Sequence, residues 1–214
     1  MANDYTSSSD VFAQMTDSTG YQASTDFLPV MDGLVTVASR LIDREVGRRD
    51  GFFYPTTDTV TYYYDGSGDY EQSIDEFVSV SSVSVAEQGG VASTSYTDWT
   101  EDTDYLTLPY NASNDGRPIN RLQLLDYNRT KSAWAGYQKA VKVQGVAGYA
   151  SSPPDIVVQA CKMQALRWFM RAKQGYQDTG ANVEIGQLVF QGKMELDEDV
   201  RALLMPLKLE LTNG

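Results

Sequence analysis

The stretch that decides the fold spans residues 141–176 and reads VKVQGVAGYASSPPDIVVQACKMQALRWFMRAKQGY. Its first part alternates apolar and polar residues and ends in glycines, which is typical of a β-strand. Its second part opens with Ser-Ser-Pro-Pro-Asp, a helix-start signal, and predicts an apolar helix over about 153–175. The chain therefore leaves a β-rich region here and returns to helix.

The apolar side chains of this helix form two faces, because successive residues are rotated by about 100°. Val157, Cys161 and Trp168 mark one face. The sequence leaves open which face meets the protein's own core and which meets a neighbouring subunit, and both are expected to be buried. The face that we name as the candidate subunit interface contains Ile156, Met163, Leu166 and Met170.

Helical and β-type patterns divide the rest of the chain. Apolar residues at helical spacing predict a helix over about 26–48 that ends near Gly47, and a short helix is expected over about 197–205, before Pro206. Between them, residues 52–149 contain six or seven short strand patterns separated by turn signals. We therefore predict an α+β protein: a small helical bundle, residues 25–51 and 150–206, with an inserted acidic antiparallel β-sandwich or barrel.

The two ends of the chain carry different signals. Residues 1–24 are rich in Ser, Thr and Asp and contain no basic residue, which predicts a flexible N-terminal arm. At the other end, residues 207–214 form a strand pattern, because leucines alternate with polar residues. This strand either closes the chain's own sheet or adds to the sheet edge of another protein. Its apolar residues are Leu207, Leu209 and Leu211.

Composition and charge narrow the classes of function. The content of 42% hydrophobic and 21% charged residues is typical of a soluble globular protein, and neither a secretory signal nor a membrane span is expected. The net charge is −12, and residues 50–116 hold thirteen carboxylates without a single Lys or Arg. A region this acidic is expected to repel nucleic acid.

The sequence contains no persuasive catalytic, cofactor or metal site. Because it has no histidine, Ser-His-Asp and Cys-His catalysis and histidine-containing metal sites are excluded. Cys161, in the middle of an apolar helix face, is expected to be a buried and inert thiol. The clustered carboxylates, which could bind calcium or act as acid and base, lack the EF-hand glycine, and a solvated loop is favoured. They are Asp98, Glu101, Asp102 and Asp104.

Aromatic residues offer a further candidate site. Tyr62, Tyr63 and Tyr64 with Trp99 could form a stacking platform for a sugar or a base. Aromatic residues at strand positions are more often core and cross-strand pairs, and the acidic surroundings disfavour a nucleic-acid ligand.

Taken in order along the chain, these elements resemble the head–tail connector (adaptor) proteins of tailed bacteriophages. The resemblance covers roughly residues 25–206, and it rests on the order of short motifs. They are ASRLI at 38–42, GFFYP at 51–55, YYDGSG at 63–68, DYLTLP at 104–109, VKVQG at 141–145, PPDI at 153–156 and the segment 200–206.

The resemblance implies a structural virion protein and no enzyme. A member of this family is made in the host cytoplasm and assembles as a ring of about twelve copies beneath the portal protein, in the neck of the virion. The ring extends the channel through which genomic DNA passes without sequence-specific binding, and it supports the downstream neck and tail proteins. Family members commonly reach the portal through their C-terminal segment, here residues 205–214. No cofactor and no membrane is implied.

Three other classes of function are compatible with the same patterns. The chain could be another phage structural subunit, such as a tail-completion or baseplate protein. It could also be a monomeric β-sandwich module that binds a ligand through Tyr62–Tyr64 or Trp99. An enzyme using the clustered carboxylates is the third possibility. Within a ring, the acidic region either faces the DNA channel or points outward, where it promotes solubility.

Overall fold

The computed structural model describes residues 3–19, 27–87, 95–125, 131–173 and 195–208. The chain divides into two compact units, one of residues 1–3 and 52–153 and the other of residues 4–51 and 154–214. It is an α+β protein, as predicted. Its described helices and strands are α1 (Ser8–Thr19), α2 (Leu28–Glu45), β1 (Val60–Tyr64), β2 (Glu71–Ala86), β3 (Tyr96–Trp99), β4 (Tyr105–Leu108), β5 (Ile119–Leu124), β6 (Val141–Ala147), α3 (Asp155–Lys173) and α4 (Glu198–Leu204).

The first unit is built on one six-stranded antiparallel sheet in the order β1-β6-β2-β5-β4, with β3 also paired to β2. This sheet does not close on itself, so the predicted barrel is wrong. The reason lies in β2, which runs unbroken for 16 residues where only short strands were expected. It pairs with β6 along one edge, and with β5 and then β3 along the other. One long strand therefore has three partner strands, whereas each strand of a barrel pairs with one neighbour on each side.

Two register shifts let β2 follow β6 over this length. They lie between Phe77 and Ser79 and between Val80 and Ser82, where extra residues bulge out of the ladder. Gly145 of β6 lies at the second shift, and a Cβ there would be only 2.1 Å from the carbonyl oxygen of Ser79. Glycine is therefore required at this position for the two strands to approach.

The core of the sheet unit gathers around Trp134. This side chain is fully buried; its ring centroid lies 4.8 Å from that of Trp99, and its indole N–H donates to the Tyr70 carbonyl at 3.2 Å. Val141 and Val143 of β6 point to the same core, while Lys142 between them is only partly buried. The alternation that predicted this strand therefore reflects one buried and one more exposed face.

The described part of the second unit contains the four α-helices α1 to α4. The helices predicted over about 26–48, 153–175 and 197–205 are present as α2, α3 and α4. α2 ends as expected: Gly47 adopts a φ of 73°, and the Arg48 N–H turns back to the Asp43 carbonyl at 2.8 Å. Glycine adopts this left-handed conformation easily because glycine has no Cβ.

The N-terminal segment is a helix where we predicted a flexible arm, so that prediction is wrong for residues 3–19. Ser7 begins α1: its hydroxyl accepts the Asp10 N–H at 3.2 Å and donates to the Asp10 carboxylate at 2.8 Å. Val11, Phe12 and Met15, at helical spacing, are buried. Phe12 packs edge-on against Phe169 of α3 with the ring centroids 5.4 Å apart. The polar composition concealed a short amphipathic helix.

The C-terminal strand prediction is not met at Leu207. No extended strand begins at Leu207. Residues Met205–Leu207 instead form one 3-10 turn directly after α4. Proline fits such a turn because its fixed φ is helical and the turn requires no N–H there. Leu209 and Leu211 lie outside the described residues, as do residues 177–194, for which a loop or hairpin was expected.

Candidate assembly surface

Helix α3 has one buried face and one partly exposed apolar face. Val157, Cys161 and Ala165 are completely buried, and Trp168 nearly so, within the helical unit. On the opposite side Ile156, Met163 and Leu166 are only partly buried, and Met170 is 38% exposed. The structure thus assigns the Val157 face to the protein's own core. The face that we named as a candidate interface is partly open to solvent.

The partly exposed side chains of α3 follow a heptad spacing. Ile156, Met163 and Met170 lie seven residues apart, and Leu166 lies three residues after Met163. This is the spacing by which one helix packs along another in a coiled-coil seam. We call the set of Ile156, Met163, Leu166 and Met170 the α3 stripe.

Helix α4 holds α3 from one side, and among the described residues the stripe stays partly exposed. Arg167 pairs with Asp197 at 3.0 Å and also with Asp199, while Arg171 reaches Asp197 at 3.2 Å. The buried Gln164 accepts the Asp197 N–H at 2.9 Å. The hydrogen bonds from Arg167 lower the pKa of Asp199 to about 2. These contacts fix the rotation of α3 about its axis, so the direction of the stripe is set by the fold.

A second buried polar cluster ties the N-terminal segment to α2 and α3. The Tyr5 hydroxyl donates to Asp43, and the Tyr5 N–H donates to the Ser39 hydroxyl at 3.1 Å. Ser39 in turn lies 3.4 Å from the Cys161 sulfur, and Asp43 also accepts the Gly51 N–H at 2.8 Å. Cys161 is buried, as predicted, and burial raises the pKa of its thiol to about 12, which disfavours the reactive thiolate. Sequence reasoning missed this cluster, because Tyr5 was assigned to a flexible arm.

The buried Asp43 makes a pH-dependent contribution to stability. Burial raises its pKa from 3.8 to about 6, although hydrogen bonds from Tyr5 and Gly51 and the charge of Arg40 act in the opposite direction. The folded state therefore binds a proton more tightly than the unfolded chain between these two values. Protonated Asp43 therefore stabilises the folded state. This contribution to the unfolding free energy is complete below about pH 4 and is lost as the pH rises through about 6.

We expect Asp43→Asn to remove this dependence. Relative to the variant, the unchanged protein should lose about 2 kcal/mol of unfolding free energy between pH 4 and pH 7. Urea denaturation of both proteins at several pH values measures the difference and cancels the contribution of the other carboxylates. Parallel pH profiles for the two proteins would contradict the assignment.

Three of the four clustered carboxylates of the sheet unit, those of Asp98, Glu101 and Asp104, accept hydrogen bonds from nearby groups. Asp98 accepts the Ser84 hydroxyl at 2.6 Å, Glu101 accepts the Thr107 hydroxyl at 2.6 Å, and Asp104 accepts the Thr100 N–H at 2.9 Å. Among the described residues, no group of three or more acidic or cysteine side chains is placed to hold a metal ion. Within the same residues, no helix combines the length and apolarity that crossing a membrane requires.

The aromatic residues proposed as a stacking platform are mostly core. Trp99 is 9% exposed and packs on Trp134, while Tyr62 packs edge-on against Phe77 with the centroids 5.5 Å apart. Tyr64 also packs on this core. Tyr63, which is 51% exposed, is the outward member of the set. The structure therefore supports the cross-strand interpretation of these residues and not a joint platform.

No protein-family model matches this sequence, and no curated protein is similar to it. Two solved structures resemble it along its whole length. One is a chain in the neck of an empty gene transfer agent (GTA) particle, computed with C6 symmetry; the likeness covers 100% of this chain and 98% of that one, at 14% identity and a TM-score of 0.53. The other is a chain in the virion of a native GTA particle, with the same coverage and TM-score at 13% identity. At these identities the comparison shows a shared fold.

Proposed function

We propose that this protein is a structural subunit of the neck of a phage-like particle and assembles as a homo-oligomeric ring. The observation that carries the proposal is the end-to-end similarity of its fold to a chain from a GTA neck. The partly exposed α3 stripe provides a second, independent argument, because an apolar heptad seam on a helix surface is typical of a subunit contact. Together with the sequence resemblance, these features favour the head–tail connector role.

In this role the ring extends the DNA channel beneath the portal and supports the proteins that follow in the neck and tail. The sheet unit carries thirteen carboxylates against six Lys and Arg residues over residues 52–153. A surface of this sign would not bind the DNA backbone tightly, so DNA could pass without being retained. The proposal requires no catalytic residue.

We propose that residues 207–214 contact the portal through Leu207, Leu209 and Leu211. Leu207 follows α4 and is partly buried, and Lys208 pairs with Glu45 at 3.1 Å. The last described residues are therefore held at a defined place on the helical unit. Leu207 lies in the 3-10 turn, so the strand that we propose to add to the sheet edge of a partner begins after it and carries Leu209 and Leu211.

Truncation after Pro206 is expected to leave a folded protein that no longer joins the portal. The exposed Lys208–Glu45 pair contributes at most about 1 kcal/mol, so its loss should change the unfolding free energy little. Circular dichroism measures the fold, and co-sedimentation with portal rings measures docking. Lys208→Ala, which removes the ion pair but keeps the leucines, is the matched control and should dock normally. Undiminished docking of the truncated chain would refute the role of this segment.

A further inference from the structure

Helix α2 carries a second apolar stripe that the described part of its own unit leaves exposed. Val30 is 47% exposed and Val37 is 40% exposed, and they lie seven residues apart. Leu41 on the same side is partly buried. We call Val30, Val37 and Leu41 the α2 stripe.

The two stripes lie on opposite sides of the α2–α3 pair. α2 meets α3 through Val35 and Ser39, since the Cys161 sulfur lies 3.4 Å from the Ser39 hydroxyl oxygen and 3.8 Å from the Val35 carbonyl oxygen. At about 100° per residue, Val37 points roughly opposite to Ser39, and Met163 and Met170 point roughly opposite to Cys161. Two packed helices thus present one apolar stripe on each outer side.

Gly33 lies beside the α2 stripe, between Val30 and Val37 along the helix. A glycine inside a helix costs up to about 1 kcal/mol relative to alanine. Nothing in the described chain requires it, because a Cβ at this exposed position would meet no atom within 4 Å outside its own helix. It leaves a notch where the backbone of α2 can approach another helix closely.

Spacing and charge match the two stripes to each other when the helices run antiparallel. Val37 then lies opposite Met163 and Val30 opposite Met170, because both pairs are seven residues apart. In the same register the exposed Arg44, in the last turn of α2, meets the exposed Asp155, in the first turn of α3. The antiparallel helix dipoles also favour this arrangement.

We propose that the α3 stripe of one copy packs antiparallel on the α2 stripe of a second copy of this chain, with Gly33 as the notch. The proposal rests on the ring assembly proposed above and specifies its subunit contact. Because the contact joins two different surfaces, each copy keeps one stripe free for the next, and repetition of the contact closes a ring when the rotation between neighbouring copies divides a full turn.

Cysteine cross-linking tests this contact directly. A full-length Val37→Cys protein mixed with a full-length Met163→Cys protein should yield dimers with a thiol cross-linker that spans the about 8–10 Å between packed helices. Either variant alone should give at least tenfold less dimer, and the double variant should give a ladder of multimers. Cys161 is buried and should not react.

The outcomes separate this inference from the proposed function. Rings seen by electron microscopy without cross-linking of the mixture would overturn the α2–α3 contact alone. Equal cross-linking of each variant by itself would also overturn it, since that result requires a two-fold symmetric contact. The absence of both rings and cross-linking, with the variants folded, would contradict ring assembly itself.

Gly33→Leu gives a second readout in which stability and assembly move in opposite directions. Leucine is the better helix former, so the Tm of the free protein should rise, while the filled notch should weaken assembly at least tenfold. Asp32→Leu, at the neighbouring exposed position on another side of α2, is the control and should assemble normally. Assembly of Gly33→Leu at the level of the control would overturn the notch.

Discussion

Replacing Met163 and Met170 together with glutamate is expected to abolish self-assembly and to leave the subunit folded. Both side chains lie on the partly exposed α3 stripe, and Met170 is 38% exposed, so each carboxylate remains hydrated in the monomer. In the ring the same charges would be desolvated against an apolar neighbour, which costs several kcal/mol without a partner. A loss of about 3 kcal/mol already corresponds to more than a hundredfold weaker association.

Sedimentation velocity over a range of concentrations measures this effect, and circular dichroism shows whether the helices remain. The matched control is Met205→Glu, because Met205 is 62% exposed in the helical unit but lies outside both stripes. The control should assemble like the unchanged protein. If the double variant assembled as well as the control, the α3 stripe would not be the subunit interface.

Trp134→Ala should produce the largest loss of stability in the sheet unit, about 3–5 kcal/mol. The substitution leaves a cavity beside Trp99 and Tyr105, whose ring centroids lie 4.8 and 6.3 Å from that of Trp134. It also removes the hydrogen bond from the indole N–H to the Tyr70 carbonyl, which keeps the hydrogen bond from the Leu124 N–H. Because Trp134 belongs to a connection and not to a strand, such an effect would show that this connection is part of the core.

Urea denaturation followed by tryptophan fluorescence and circular dichroism measures the loss. Tyr137→Ala is the control in the same connection, since Tyr137 is 48% exposed and its truncation should cost less than about 1 kcal/mol. A Trp134→Ala protein as stable as the control would show that the sheet unit does not depend on this side chain.

The sequence predicted the elements whose periodicity is strong. The helix start at Ser-Ser-Pro-Pro-Asp and the two apolar faces of α3 are local features, so they could be read without knowledge of the tertiary structure. The same holds for the end of α2 at Gly47, where a left-handed residue is needed. Which α3 face is buried depends on the other helices, and the sequence alone left that open.

The predictions that failed depended on long-range contacts. α1 has only a few buried apolar residues, and Tyr5 is held by Ser39 and Asp43, more than thirty positions away. β2 is longer than the short strands that were expected, because pairing with β6 carries the strand through Ser81 and Ser82. Local propensity is overridden where neighbouring strands satisfy the backbone. The α2 stripe was not predicted, because the exposure of its side chains appears only in the folded unit.

The proposed function is tested most directly by electron microscopy of the full-length chain mixed with the portal of its particle. We expect closed rings of identical subunits stacked coaxially on the portal, with the α3 stripe of each subunit against its neighbour. Portal complexes that carry only isolated copies of the chain, or portals that remain bare at saturating protein concentration, would contradict the account.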